Sequence, residues 1–152
     1  MNIEDELQTE FKSPQSKAAV NLRYTSNNIG AIQSEFMSQF DLSMPQFNIL
    51  RILRGAGEAI AVNTVKERMI EKSPNTTRLM DKLINKNLIS REKRAPDLRV
   101  IYVKITAEGQ KLLRKIDCAL TDHQNILVPD ITDEEANQLS DLLDKIRNAS
   151  RG

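Results

Sequence analysis

The fold of this chain is decided by the stretch Asp97-Leu98-Arg99-Val100-Ile101-Tyr102-Val103-Lys104-Ile105-Thr106-Ala107-Glu108-Gly109. Side chains at even and odd positions from Arg99 to Thr106 would point to opposite faces of a strand, so one face can be buried while the other faces outward. A second short run, Leu88 to Lys93, precedes it, and a basic loop containing Pro96 separates the two. Two short runs joined in this way predict a β-hairpin with a charged tip.

Helical patterns account for the rest of the chain, and several helix starts carry capping residues. Ser43 with Gln46, and Thr132 with Glu135, have the spacing of capping boxes. Ser73 predicts a further start, because it can cap a helix whose first turn contains proline. The predicted helices cover residues 15 to 40, 43 to about 55, 62 to 69, 73 to 86, 106 to about 127, and 132 onward. The acidic N-terminus is expected to fray.

The order of elements is helix, helix, helix, helix, hairpin, helix, helix, which predicts a mainly α fold with a small β-hairpin wing. We interpret it as a winged helix-turn-helix domain plus terminal dimerisation helices. Residues 1–40 would form an N-terminal arm and dimerisation helix, 41–105 the winged helix-turn-helix DNA-binding domain, and 106–152 the C-terminal dimerisation helices. Because the terminal helices are amphipathic, they need a common apolar partner, and a second copy of the chain is the natural candidate.

Composition excludes several classes of protein. The chain has 152 residues, of which 39% are hydrophobic, and this suits one domain with helical extensions. It lacks a run of about 18 apolar residues and a signal-peptide pattern, so we expect a soluble, cytoplasmic protein without a membrane partner. One cysteine rules out an intrachain disulfide and a Cys-based zinc site, and we expect neither a metal nor a cofactor.

The net charge of +1 hides a strong asymmetry along the chain. Residues 62–104 contain 11 Lys and Arg against 5 Asp and Glu, a net charge of +6, whereas the remainder has 11 against 16, a net charge of −5. A basic segment between acidic flanks is the electrostatic footprint of a polyanionic partner such as DNA. The alternative is that these charges only solvate helix faces.

The helix predicted from residue 73 carries the side chains expected at a DNA major groove. That groove is about 12 Å wide, so the first turn of an entering helix needs small polar or long basic groups. This turn offers Ser73, Asn75, Thr76, Thr77 and Arg78. Asn75 and Arg78 can pair with adenine and guanine edges, while hydroxyl groups suit phosphate oxygens. Lys82 and Lys86, further along, suit phosphate or simply solvate that face.

The hairpin tip presents a second set of cations, Lys93, Arg94 and Arg99. An arginine on a thin ribbon can enter the minor groove, where negative potential is focused. Asp97 cannot favour phosphate, so we expect it to hold Arg99 by a charge-assisted hydrogen bond; the alternative is that it only closes the turn. Arg78 has an alternative too, since it could pair with Asp81 or Asp97 rather than contact DNA.

Motifs spread in order along nearly the whole chain resemble those of MarR-type transcriptional regulators. They are Pro45-Gln46-Phe47-x-x-Leu50, Val62-x-x-Val65-x-x-Arg68-Met69, Thr77-Arg78-Leu79-x-Asp81-Lys82-Leu83, and Asp97-x-Arg99 followed by Ile105-Thr106-x-x-Gly109. The resemblance implies a triangular homodimer that binds an inverted-repeat operator in double-stranded DNA as a repressor. It also implies that Arg99 is the minor-groove residue and Asp97 its orienter. Leu98 stands where the family often has another Arg.

The same resemblance implies a site for a small aromatic effector between the dimerisation helices and the DNA-reading domain. Near the equivalent junction the chain supplies a Met/Phe cluster, Phe36, Met37, Phe40, Met44 and Phe47. These residues are the candidate effector pocket, and the alternative is that they are ordinary core. A ligand there would alter the spacing of two recognition helices, which must match half-sites about one helical turn apart.

Other residues carry less chemistry. Cys118 could sense oxidants only with a lowered pKa, and we interpret it as a passive surface or interface cysteine. His123, the only histidine, falls on an apolar stripe and is interpreted as a packing residue. The sequence shows no nucleophile motif, phosphate-binding glycine loop or paired-carboxylate pattern, so an enzyme is not expected. Two other classes stay open, a winged-helix protein-interaction module and a non-specific architectural DNA binder.

Overall fold

The computed structural model describes residues 1–94, 96–122 and 130–152. In order, its elements are α1 (Ile3–Leu7), α2 (Pro14–Ser38), α3 (Met44–Ala56), β1 (Ile60–Ala61), α4 (Val62–Arg68), α5 (Thr76–Asn85), β2 (Ile89–Lys93), β3 (Ile101–Ile105), α6 (Ala107–Asp122) and α7 (Asp133–Ala149). The predicted mainly helical fold with a hairpin wing is confirmed, and α1 and β1 are additions. His123 and the predicted continuation of α6 towards Leu127 lie outside the described residues. Within the described ranges, no helix has both the length and the apolar character that crossing a membrane requires.

The N-terminus forms a helix rather than fraying, which corrects the expectation drawn from its polar composition. The side-chain oxygen of Asn2 caps α1 by accepting a hydrogen bond from the Asp5 N–H at 2.9 Å. Acidic residues in the first turn of α1 suit the positive end of the helix dipole. Ile3 is buried, and Glu4 pairs with Lys17 of α2 at 2.6 Å, so α1 is held against α2.

The hairpin forms as predicted and gains a third strand. β2 and β3 pair antiparallel, from Ile89 opposite Ile105 to Lys93 opposite Ile101. β1 pairs with the other edge of β3, which gives the strand order β1-β3-β2. On β3, Val103 and Ile105 are buried, as the predicted alternation requires. β1 escaped prediction because its two residues are too few to show a periodic pattern.

Helix α3 is the centre of the hydrophobic core. Its capping box forms as predicted: the Ser43 N–H donates to Gln46 Oε1 at 3.0 Å, and the Gln46 N–H donates to Ser43 Oγ at 3.3 Å. Ile49, Leu50 and Leu53 are almost completely buried. Through this face α3 packs against α2, α4, α5, β3 and α6. The elements of the winged region therefore take their positions from α3.

A single junction joins the end of α5, the hairpin and the start of α6. Asn87, just after the end of α5, is left-handed, with a φ of 58°. The Thr106 hydroxyl donates to the Asn87 carbonyl oxygen at 2.7 Å and accepts from the Gly109 N–H at 3.0 Å. The Thr106 N–H donates to the Leu88 carbonyl oxygen at 3.1 Å. Thr106 thus caps α6, as predicted, and ties it to the end of α5.

Gly109 leaves no room for a side chain at this junction. A Cβ at position 109 would lie 2.2 Å from the Leu88 carbonyl oxygen and 2.7 Å from Ile105 Cγ1. Because the closer contact is with backbone, the start of α6 would have to move. We expect Gly109→Ala to lower the free energy of unfolding by about 1–3 kcal/mol, the usual cost of overpacking. Urea denaturation measures this change.

Gly55→Ala is the matched control. Gly55 is exposed near the end of α3, and an added Cβ there would meet nothing within 4 Å. Alanine at this helical position should raise the free energy of unfolding by about 0.5 kcal/mol, because it restricts the unfolded chain. If both substitutions changed the free energy of unfolding alike, the close approach at Gly109 would be refuted.

Candidate nucleic-acid interface

The turn between α4 and α5 is fixed by side chains of the surrounding elements. The side-chain oxygen of Asn48, in α3, accepts a hydrogen bond from the Ile70 N–H at 3.0 Å. The Lys72 ammonium group donates to the Lys66 carbonyl oxygen at 3.3 Å and to that of Glu67, both at the end of α4. The helix dipole favours a cation at this end. These hydrogen bonds hold the turn against α3 and the end of α4.

Helix α5 begins at Thr76, three residues later than the predicted start at Ser73. Asn75 occupies the N-cap position, and its carbonyl oxygen accepts from the Leu79 N–H at 3.0 Å. The prediction that Ser73 caps the helix is wrong, because its hydroxyl oxygen accepts from the Asn75 N–H at 3.1 Å and closes a local turn. Residues 73–75 form a short lead into α5 rather than its first turn.

Thr76 is buried, which corrects its place among the side chains expected to face DNA. Only 1% of its surface is exposed, and its hydroxyl donates to the Ser73 carbonyl oxygen at 3.0 Å. Met80 and Leu83 follow Thr76 by four and seven residues, so the three side chains share the buried face of the helix. Thr76 therefore anchors the lead residues to α5.

The outward face of α5 carries the remaining residues predicted for it. Asn75, Thr77, Arg78 and Lys82 are all exposed. The two acidic groups considered as alternative partners of Arg78 are engaged elsewhere: Asp81 pairs with Arg91, and Asp97 pairs with Arg99. Within the described part of the chain Arg78 has no ion pair, so its guanidinium is available to an outside ligand.

The ion pair between Asp81 and Arg91 links α5 to the wing and was missed in the sequence. The two charged groups lie 3.5 Å apart, with about half of each side chain exposed. Exposed pairs contribute little to stability, so the packing of α5 on β2 positions the two elements and the ion pair lies across their contact. A cavity of about 340 Å³ lies beside this pair, between α4, α5 and β3. Only the packing of α5 on β2 brings these two residues together, and no local pattern signals it.

Arg99 lies at the tip of the wing, where hydrogen bonds to Asp97 hold its guanidinium group. Its Nε donates to Asp97 Oδ1 at 3.0 Å, its Nη2 donates to Oδ2 at 3.3 Å, and its backbone N–H donates to Oδ1 at 3.0 Å. The predicted contact between Asp97 and Arg99 is therefore present, while 92% of the Arg99 side chain stays exposed. A two-point contact of this kind fixes the direction of the guanidinium plane.

The same hydrogen bonds from Arg99 lower the pKa of Asp97. A lowered folded-state pKa means that the pair contributes its stability fully above the unfolded-state pKa and loses it as the pH falls through the folded value. At neutral pH the carboxylate is charged, and Arg99 is held in place.

The other two predicted wing cations differ in their surroundings. Arg94 lies over the Tyr102 ring, with its Cζ 5.2 Å from the ring centroid, and it also pairs with Glu92. A cation over an aromatic face is attracted by the ring electrons, so Arg94 is partly engaged within the wing. Lys93 is exposed at the end of β2.

The far end of α5 is held to the turn between α2 and α3. The Lys86 ammonium nitrogen lies 3.1 Å from Asp41 Oδ2, and it also donates to the Asp41 carbonyl oxygen. Lys86 therefore faces this turn, which corrects its expected role as a phosphate contact or a solvating charge. Lys86 therefore connects α5 to the turn after α2, in addition to the connection between the end of α5 and α6 that Thr106 makes.

The five residues of the candidate effector pocket lie together next to that turn. Met37 and Phe47 are buried, and Phe36, Phe40 and Met44 are half-buried against the same core. The Phe36 and Phe40 rings are 5.7 Å apart between centroids. In the single chain these residues act as core, which is the alternative reading of the cluster. Cys118 is exposed on α6.

Thr76 and Thr77 form a matched pair for testing which side of α5 faces nucleic acid. Thr76→Val keeps the shape but removes the hydrogen bond to Ser73, so we expect the free energy of unfolding to fall by about 1 kcal/mol with DNA sequence preference unchanged. Thr77→Val should keep that free energy and weaken DNA binding. Urea denaturation and fluorescence anisotropy with labelled DNA measure the two effects. If Thr76→Val weakened DNA binding and Thr77→Val lowered the free energy of unfolding, α5 would present a different face to DNA.

The arrangement of helices and wing is shared with known proteins. A family model described as Transcriptional regulator SarA/Rot matches residues 31–116. The solved MarR transcription factor from Planctomyces limnophilus is 30% identical, with 89% of this chain and 98% of that chain covered and a TM-score of 0.69. A mutant MarR from E. coli complexed with operator DNA has a TM-score of 0.78 at 22% identity, with 91% of this chain and 99% of that chain covered.

A curated relative supports the same assignment over a shorter stretch. The HTH-type transcriptional regulator YfiV of Bacillus subtilis (strain 168) is 33% identical over 90 residues, 59% of this chain. That stretch is 54% of YfiV, so this chain covers about half of the relative's length. The SarA/Rot match covers more than half of this chain, and the likeness to the Planctomyces protein covers most of it. The chain therefore belongs to the MarR/SarA family of DNA-binding winged helix-turn-helix transcriptional regulators, which are not enzymes.

Proposed function

We propose that this protein is a homodimeric, sequence-specific repressor that acts in the cytoplasm and binds an inverted-repeat operator. The observation that carries the proposal is the pair of exposed guanidinium groups, Arg78 on α5 and Arg99 on the wing, on two elements that pack against each other. The E. coli MarR crystallised with operator DNA has the same fold, which supports this use of it.

Each exposed residue of the interface has a role in this proposal. Arg78 and Asn75 read base edges in the major groove, where guanine and adenine present patterns that these side chains match. Thr77, Lys82 and Lys93 contact phosphate. Ser73 does so as well, through its half-exposed hydroxyl.

Arg99, oriented by Asp97, enters the minor groove, and Arg94 supports it from the wing. Residues 41–105 are thus the DNA-binding domain.

The second copy in the dimer explains the apolar surface of the terminal helices. α7 has 17 residues and none of them is buried in the single chain. Its Leu139, Leu142 and Ile146 are 46%, 58% and 50% exposed and follow helical spacing along one face. α2 also exposes Leu22 and Ile32. Residues 1–40 and 106–152 are therefore proposed to bury these faces against a second copy.

A small aromatic effector is the proposed signal that releases the operator. The Met/Phe cluster at the end of α2 and the start of α3 is the proposed site, since it lies between the dimerisation helices and α5. Lys86 and Asp41 connect that region to α5, so a ligand that displaces Phe36 or Phe40 would shift α5. Half-sites about 34 Å apart tolerate little change in the spacing of two α5 helices.

Genomic selection tests the proposal directly. The purified protein is incubated with fragmented DNA of its own genome at near-physiological salt, and the retained fragments are sequenced. An inverted repeat with half-sites about one turn apart is the expected result. Retention without a motif would favour the architectural DNA binder, and a failure to retain any DNA would favour the protein-interaction module.

Arg78→Ala should relax specificity at one base pair in each half-site. A bidentate arginine contact with guanine contributes about 1–3 kcal/mol of discrimination, so we expect affinity to fall about tenfold for each half-site. Competition binding with operators mutated one base pair at a time measures the loss. Arg114→Ala, an exposed arginine on α6 outside the basic segment, is the control. An unchanged base preference in Arg78→Ala would remove Arg78 from base recognition.

Leu142→Asp should break the proposed dimer without unfolding the chain. The side chain is exposed in the single chain, so a carboxylate there harms only an apolar interface, where burying an unpaired charge is costly. Light scattering should show the mass of wild type at twice 17.3 kDa and of the variant at 17.3 kDa. Circular dichroism should show that the helices around the α3 core are kept, with loss of helix content confined to the terminal helices that the interface stabilises. A dimeric Leu142→Asp protein would place the interface elsewhere.

A further inference from the structure

Leu98 is an exposed apolar residue at the tip of the wing. The Val100 N–H donates to the Asp97 carbonyl oxygen at 3.3 Å, so residues 97–100 form a turn whose central residues are Leu98 and Arg99. Leu98 is 60% exposed, and the Arg99 side chain is 92% exposed. Both side chains therefore project from the end of the wing into solvent.

The position of Leu98 is unusual for a leucine. Central turn residues are typically Gly, Pro, Asn, Asp or Ser, which satisfy the backbone locally or permit its conformation. Asp97 orients the neighbouring Arg99 side chain through two hydrogen bonds, whereas Leu98 has no polar group through which it could be oriented. A leucine cannot accept or donate to phosphate, so its contribution to a DNA-facing tip must be an apolar contact.

We propose that Leu98 enters the minor groove beside Arg99 and makes the wing select A·T pairs there. The inference rests on the operator binding proposed above. At A·T pairs the minor groove presents only acceptor atoms, whereas a G·C pair adds the guanine N2 amino donor. An apolar side chain held against that donor would leave it buried and unpaired, which weakens binding. Proteins that bind the minor groove insert leucine and other apolar side chains there, between neighbouring base pairs.

The surroundings of Leu98 favour DNA over a protein partner. Among the described residues of the wing, Leu98 is the one large apolar side chain that is exposed, and Lys93 and Arg99 are exposed beside it. A protein interface needs an apolar centre formed by several residues, and charged residues are depleted there. Phosphate groups on either side of a minor groove supply the negative charge that the two cations attract.

The test separates the minor groove from the major groove. The operator recovered by genomic selection is prepared in three versions that differ only in the base pairs under each wing: A·T, G·C and inosine·cytosine. Inosine lacks the N2 amino group, so its pair with cytosine resembles G·C in the major groove and A·T in the minor groove. Wild type should bind the A·T and inosine·cytosine versions equally and the G·C version about 5-fold more weakly for each wing.

Two variants assign that preference to Leu98. Leu98→Ala should bind the A·T version about 5-fold more weakly than wild type for each wing, because apolar contact is lost. The ratio of its Kd for the G·C version to its Kd for the A·T version should be smaller than the wild-type ratio by about twofold or more. Leu98→Met keeps the apolar bulk and should keep the wild-type ratio.

The outcomes distinguish this inference from the function on which it rests. An identical G·C to A·T ratio in Leu98→Ala and wild type would overturn the role of Leu98 while operator binding stands. A penalty that persists with inosine·cytosine would also overturn it, since recognition would then lie in the major groove. A wild-type protein that recovers no operator would overturn the proposed function, and this inference with it.

Discussion

The close approach of Thr106 and Gly109 to the end of α5 is the constraint on which the structure depends. One hydroxyl bridges the Asn87 carbonyl oxygen and the Gly109 N–H, so the end of α5, the base of the hairpin and the start of α6 meet at one point. Lys86 adds a contact to the turn after α2. The elements proposed to read DNA and those proposed to dimerise are thus connected through backbone and short side chains. A Cβ at position 109 would lie 2.2 Å from the Leu88 carbonyl oxygen, so the two helices pack closely at this junction.

The eleven cations of the basic segment divide into those engaged within the fold and those that stay exposed. Lys72 and Lys86 satisfy carbonyl oxygens, Arg91 pairs with Asp81, and Arg94 lies over a tyrosine ring. These cations hold the turn, the end of α5 and the wing in place. The other seven stay exposed: Arg99, held by Asp97, and six that form no ion pair among the described residues, Lys66, Arg68, Arg78, Lys82, Lys93 and Lys104. The first group of cations builds the interface, and the second group is available to contact phosphate and bases. Counting charges in the sequence cannot tell the two groups apart.

Local patterns in the sequence were sufficient for most of the fold. The capping boxes at Ser43 and Thr132 depend on neighbours three residues away and were predictable. Contacts between distant residues were not: Asn48 with the Ile70 N–H, and Asp81 with Arg91, require the packed structure. The start of α5 was placed wrongly because Ser73 resembles a helix cap, whereas its hydroxyl accepts from the Asn75 N–H and closes a turn before the helix. In the candidate site, residue types were predictable, but which of them face outward was not.

Dimethyl sulfate protection on the recovered operator tests the central claim most directly. This reagent methylates guanine N7 in the major groove and adenine N3 in the minor groove, so one experiment reports on α5 and the wing together. The account predicts that each half-site shows protected guanine N7 atoms at its centre and protected adenine N3 atoms at its outer edge. Arg78→Ala should restore methylation only at N7, and Arg99→Ala only at N3. Protection confined to one groove, or equal loss of both signals in either variant, would contradict it.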